Sequence, residues 1–321
     1  MNRRIALASR TDRPERPAGW HYHPTGRAVA QPLDLVVSLD EAARESVHMV
    51  FARDGAYVPA VIRLPQGQGP FPAVVCLHGG SGGLGWSFLA RELHERPLVY
   101  DRLTAEGYAV CVTEGRMERE DEYGTGAPAA LDYQDVCETF RYLQRLPEID
   151  AERIGFFGVS HGGELQLKVI AELGDGPAAL VPTEPAAIEF LGLRHDGGSD
   201  ADEDWTPEDS SGPRTEERMQ FNRPVGDEEI DLAAAQKRVA GVSDSVAILV
   251  LGRDDDHLQG VFRKSYELLE RAGKRVEWDS FDHPEHAYQW GPRSGESEPD
   301  EVQRATLERL VSFLNANVRD R

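Results

Sequence analysis

The chain has 321 residues, of which 40% are hydrophobic, enough for one large α/β domain carrying an insertion. Its formal charge of −21 argues against nucleic acid or an anionic membrane as a partner, because an acidic surface repels phosphate instead of releasing its counterions. No apolar run approaches the roughly 20 residues of a membrane span, and the run Ile5–Ala8 behind Arg3-Arg4 is too short for a signal peptide.

Residues 1–44 are rich in Pro, Arg and His without periodicity and read as an N-terminal arm ahead of a domain over 45–321. Two extended stretches follow, Ser46 to Ala52 and Tyr57 to Leu64, joined at Asp54-Gly55, a hairpin signal. Phe71 to Leu77 is a continuous apolar run, as a strand buried on both faces requires. Strands and helices then alternate: a strand over Gly107 to Thr113, a helix over Ala129 to Leu146, a strand over Arg153 to Val159 and a helix over Gly163 to Leu173. A strand over Ala178 to Pro182 comes next, then Ser245 to Gly252, a helix over Leu258 to Ala272, a strand over Arg275 to Phe281 and a last helix over Glu301 to Val318. This rhythm predicts a mostly parallel central sheet with right-handed crossovers and helices on both faces.

One segment breaks it. Residues 193–229, after the sixth predicted strand, are acidic and aperiodic, and read as a solvated insertion or as a lid using Trp205, Met219 and Phe221. The three cysteines, Cys76, Cys111 and Cys137, sit inside apolar or helical patterns without metal-ligand spacing and read as buried thiols, which suits a cytoplasmic protein. Of the 35 basic residues only four are lysines, Lys168, Lys237, Lys264 and Lys274.

Gly158-Val159-Ser160-His161-Gly162 matches G-x-S-x-G, a nucleophile elbow in which serine occupies a sharp strand-to-helix turn. The motif alone is weak, but it lies between a predicted buried strand and a predicted helix, the context it needs. A serine hydroxyl requires an imidazole to take its proton and a carboxylate to orient that imidazole. Downstream, the strand ending at Gly252 runs into Asp254, Asp255, Asp256 and His257, and the next strand runs into His283 and His286. The oxyanion of a tetrahedral intermediate needs two N–H donors: the backbone of His161 would supply one, and the glycine run His78 to Gly83, through Gly80, the other. That run lacks the lysine of a phosphate loop, which argues against nucleotide binding.

With these elements in hand, the chain resembles the α/β-hydrolase superfamily, and within it dienelactone-hydrolase-like esterases and the catalytic domains of prolyl-oligopeptidase-like enzymes. The resemblance rests on Cys76-Leu77-His78-Gly79-Gly80, on Ile149 to Gly155 leading into Gly158 to Gly163, on Leu251 to Asp255, and on His286-Ala287-Tyr288. It implies an acid three residues after the strand-ending glycine, which selects Asp255, and a base before a small residue and an aromatic, which selects His286. Two departures stand out: dienelactone hydrolase uses a cysteine where this chain has Ser160, and the residues ahead of the domain are too few for a β-propeller. The expectation is a serine hydrolase cleaving small carboxylic esters through an acyl-enzyme, with Ser160, Asp255 and His286 as triad and no metal or organic cofactor. A peptidase acting on small peptides or acylated amino acids is the enzymatic alternative, and a non-catalytic binding protein on this fold is the alternative of another class.

Overall fold

The computed structural model describes residues 35–53, 55–80, 84–116, 130–193 and 221–321. Among the described residues nine strands form one sheet: β1 (Leu35–Asp40), β2 (Glu45–Phe51), β3 (Tyr57–Arg63), β4 (Phe71–Leu77), β5 (Ala109–Thr113), β6 (Ile149–Val159), β7 (Ala179–Thr183), β8 (Ala247–Arg253) and β9 (Val276–Phe281). They lie in the order β1-β2-β3-β5-β4-β6-β7-β8-β9. The first three pair antiparallel, as does β3 with β5, and every other pair is parallel. All residues of β4, β5 and β7 are buried, which is why these strands read as unbroken apolar runs. The chain leaves β4 for β5 on one side and returns to β6 on the other. The carboxyl ends of β4 and β6 therefore flank the point where the winding reverses, the place where open α/β sheets form their crevice.

Helices cover both faces. Helices α1 (Trp86–Glu95), α2 (Pro97–Ala105) and a C-terminal helix, Glu301–Leu314, share one apolar cluster with Val74, Val110, Phe157 and Leu249. On the other face, α3 (Ala130–Leu143), α4 (His161–Leu173), α5 (Leu232–Gly241) and α6 (Gln259–Arg271) enclose Val75, Phe156, Leu180 and Val250. The helix over Glu301–Leu314 is α7. Each fully buried Val, Leu, Ile or Phe contributes about 1.5–3 kcal/mol, so these two layers hold the sheet rigid beneath its carboxyl edge.

Three differences from the sequence expectation concern elements. The predicted arm over 1–44 contains strand β1, whose Leu35 and Ser38 pair with Met49 and Ser46; residues 1–34 lie outside the described residues. Because of β1, the acidic insertion follows the seventh strand rather than the sixth. Helices α1 and α2 have no counterpart among the expected elements; Pro97 between them occupies the first turn of α2, a position proline tolerates because its missing N–H has no partner there. Within the insertion, residues 194–220, with Trp205 and Met219, lie outside the described residues. Its two ends are described: Leu193 bridges to Ile230, while the Phe221 N–H donates to the His257 carbonyl and the Phe221 carbonyl accepts from Gly260.

Candidate active site

Ser160 stands between β6 and α4 with φ 56° and ψ −118°, in backbone space that only a sharp turn imposes on a non-glycine residue. Its N–H donates to the Thr183 carbonyl at 2.9 Å, so the elbow is tied to the end of β7. The flanking glycines are dictated by close approach: a Cβ on Gly162 would lie 2.3 Å from the Leu77 carbonyl oxygen, and one on Gly158 would lie 2.7 Å from the same atom. Any side chain there would push α4 away from β4. Gly79 meets the elbow from the other side, its hypothetical Cβ 3.1 Å from Ser160 Cβ.

The candidate acid and base lie two and three strands further on, after β8 and β9. His286 Nδ1 is 2.9 Å from Asp256 Oδ2. Asp256 is fully buried; it also accepts from the Leu258 N–H at 2.7 Å and pairs with Arg253 at 2.8 Å. Burial alone would raise its carboxyl, but the hydrogen bond and charge of His286 outweigh burial and hold it at about 2. Burial likewise disfavours a charged His286, yet its two carboxylate partners raise it to about 9.

The second partner is Glu184, absent from the sequence candidates. It follows β7 directly, is fully buried, and places Oε2 at 2.8 Å from His286 Nδ1. The same oxygen accepts the Ala287 N–H at 2.7 Å, and Oε1 accepts from Gln289 Nε2 at 2.6 Å. The sequence signal available for it is a carboxylate immediately after the buried strand beside the nucleophile's strand.

Asp255, selected by the resemblance, is displaced by its neighbour. Its side chain is exposed and its backbone is left-handed at φ 58°, so it forms the turn that brings the next residue inward. Asp256 therefore meets His286, one position later than the family spacing implies. Asp254 accepts from Ser280 Oγ at 2.5 Å on the exposed side. His283 is engaged elsewhere, with Nε2 3.0 Å from Asp300 Oδ2 and Nδ1 accepting the Glu285 N–H at 3.0 Å. His257 contacts the His286 ring edge to face at 4.9 Å; burial, opposed by the Asp256 charge, lowers its pKa. His161, first residue of α4, has a partly buried ring whose pKa burial, Lys168 and His78 bring down to about 4.

Gly80 is exposed with φ 74°, and Ser81 to Gly83 lie outside the described residues. The loop around them is anchored by Glu114, the buried residue after β5. It accepts the N–H groups of Leu84 and Gly85 at 2.8 and 2.5 Å and lies 3.2 Å from His78 Nε2. The two N–H groups immediately ahead of α1 thereby find a carboxylate.

Among the described residues, Asp256, His257 and His286 bring three possible metal-ligand atoms within 4.8 Å of one another. Asp256 is already committed to Arg253, Leu258 and His286. Two open cavities, of about 350 and 480 Å³, are lined by other residues, including Arg263 and Trp278 in one and Lys168 and Glu189 in the other. The three cysteines are buried and free, as their patterns predict. No helix among the described residues is long and apolar enough to cross a membrane.

Sheet order, crossovers and the strained serine after β6 define an α/β-hydrolase, the class expected from the resemblance. Its family is narrower: the chain belongs to the X-Pro dipeptidyl-peptidase (S15) family, whose model matches residues 54–266. Mitochondrial acyl-coenzyme A thioesterase 2 of Rattus norvegicus is 33% identical over 135 residues, 42% of this chain and 26% of the relative. The chain thus matches about a quarter of that relative's length. By structure, an esterase of Pyrobaculum calidifontis superposes with a TM-score of 0.54 at 15% identity, covering 85% of each chain. Acylaminoacyl peptidase of Pyrococcus horikoshii gives 0.54 at 13% identity, covering 85% of this chain and 48% of that one. These two likenesses concern the fold.

Proposed function

We propose that the chain is a serine hydrolase that cleaves carboxylic esters through an acyl-enzyme, with Ser160 as nucleophile, His286 as general base and acid, and Asp256 in the place expected for Asp255. The observation that carries this reading is the strained Ser160 elbow on one strand end, tied through Thr183 and Glu184 to a His286 held by buried carboxylates. Ser160 Oγ bonds to the substrate carbonyl carbon as its proton passes to His286. The tetrahedral adduct collapses, and His286 returns that proton to the departing alcohol. Water, deprotonated by His286, then releases the acid and regenerates Ser160. The backbone N–H groups of Gly80 and His161 are the proposed oxyanion donors, each worth about 3–4 kcal/mol of barrier.

The S15 match favours a second reading, in which the same groups cleave an amide and His286 protonates the leaving amine. The thioesterase relative adds thioesters to the substrates worth testing. Ser160→Ala should keep the fold and reduce turnover of p-nitrophenyl acetate to below about one per cent. An X-Pro p-nitroanilide and an acyl-coenzyme A thioester assayed beside that ester rank the three substrate classes. Retained turnover in Ser160→Ala would place the nucleophile elsewhere, whereas failure of native protein to react with a fluorophosphonate would favour a binding protein.

A further inference from the structure

Two carboxylates on one imidazole nitrogen exceed what orienting a tautomer requires. Asp256 sits at 2.9 Å and Glu184 at 2.8 Å from Nδ1 of His286, both with no exposed surface. Their surroundings differ. Asp256 already has the guanidinium of Arg253, 2.8 Å away, to balance its charge. Among the described residues, Glu184 meets no lysine or arginine: its partners are the Ala287 N–H, the Gln289 amide and His286. A carboxylate buried without a cation costs several kcal/mol, so the site favours a proton on His286.

The backbone is arranged for this contact. Among the described residues five non-glycines have positive φ, and four of them are Ser160, Glu184, Asp255 and Ala287. Glu184 is turned at φ 41° with its N–H donating to the Leu251 carbonyl, which aims its carboxylate at the loop after β9. Ala287, at φ 65°, turns that loop so that its N–H meets the same oxygen.

We propose that Glu184 is a second positioning carboxylate for His286, sharing with Asp256 the holding of the imidazolium that forms when Ser160 gives up its proton. This deepens the reading of Ser160 as nucleophile and rests on it. The groups facing the imidazole are Asp256, with Arg253 behind it, and His257 from the loop after β8, and Glu184 from the end of β7. The buried Tyr288 and Gln289 come from its own segment. With two carboxylates the imidazolium state is favoured more than by either alone, so removing one lowers the pH at which His286 loses its proton without removing the base.

The test follows the pH dependence of kcat/KM for p-nitrophenyl acetate in wild type and in Glu184→Gln, together with the histidine NMR titration of the full chain carrying Ser160→Ala, with and without Asp256→Asn. Glu184→Gln should move the acid limb down by about one pH unit or more. In the Ser160→Ala, Asp256→Asn chain, where Glu184 is intact, His286 should still titrate above about 6.5. An unmoved limb in a folded Glu184→Gln protein, or a His286 titration at or below 6.5 once Asp256 is neutral, overturns the proposal. If Glu184→Gln fails to fold, the NMR titration decides alone. Turnover surviving Ser160→Ala would instead overturn the nucleophile assignment, which separates the two failures.

Discussion

The charge state of His286 yields a quantitative expectation for pH. Burial lowers its pKa, while the hydrogen bonds and charges of Asp256 and Glu184 raise it further, to about 9. A general base acts only when neutral, so at pH 7 about one per cent of the enzyme is competent and at pH 9 about half, a rise in kcat/KM of about fifty-fold. Stability runs the opposite way. Because the folded pKa lies above the unfolded value near 6.5, the ion pair contributes fully below that pH, and its contribution fades as pH rises through about 9. A shift of this size corresponds to an upper bound on the order of 3 kcal/mol. The lowered Asp256 carboxyl describes the same pair from the acid side: its stabilisation is present above about 4 and is lost as pH falls through about 2. Hydrolysis of p-nitrophenyl acetate between pH 6 and 10, with Ser160→Ala as the blank for spontaneous hydrolysis, measures the limb, and urea unfolding over the same range measures the opposing loss. A rate that plateaus by pH 7 would refute the assignment of His286 to this doubly anionic pocket.

The choice of acid is tested by neighbours. Asp255→Asn should leave kcat within about two-fold, since its side chain is exposed, whereas Asp256→Asn should lower kcat and weaken the fold by leaving the half-buried Arg253 less well paired; parallel kinetics and urea melts check this, and the reverse ranking would restore Asp255. His283→Ala should be milder than His286→Ala in the same assay, because its two nitrogens serve Asp300 and Glu285. Glu114→Gln replaces an acceptor of the Leu84 and Gly85 N–H groups by one that presents an amide on one side. It should lower kcat by about ten-fold or more through a displaced Gly80, with KM changed less; an unchanged kcat would detach this anchor from the oxyanion loop.

Strands β4, β5, β7 and β8 were legible in the residues because burial on both faces leaves an unbroken apolar signature, as in Phe71 to Leu77. Strand β1 was not, because it lies at the sheet edge with Val36 and Val37 exposed at 56% and 42%, a pattern that a loop can equally carry. Ser160 was readable because strand, motif and helix are contiguous. The acid was ambiguous for a local reason: three consecutive aspartates differ by one residue each, and the left-handed turn at Asp255 decides which faces inward. Glu184 is of another kind. Its bond to Ala287 spans 103 residues and exists only because β7 and the loop after β9 meet at one edge.

These long-range contacts share a plan. Strands β5 and β7 are each followed at once by a buried glutamate, Glu114 and Glu184, and β8 by buried Asp256 three residues beyond its end. Each accepts backbone N–H groups from a loop: Glu114 from Leu84 and Gly85, Glu184 from Ala287, and Asp256 from Leu258. A carboxylate at such a position is costly unless the loop delivers its donors, so each loop conformation is coupled to one strand-end carboxylate. His78, the Leu84-Gly85 backbone and the histidine loop after β9 are then held by carboxylates in place of a hydrogen-bond ladder. Rigid loops carrying the reacting groups on a fully packed sheet are what an oxyanion site and a proton shuttle need, since preorganised dipoles stabilise developing charge without moving when it forms.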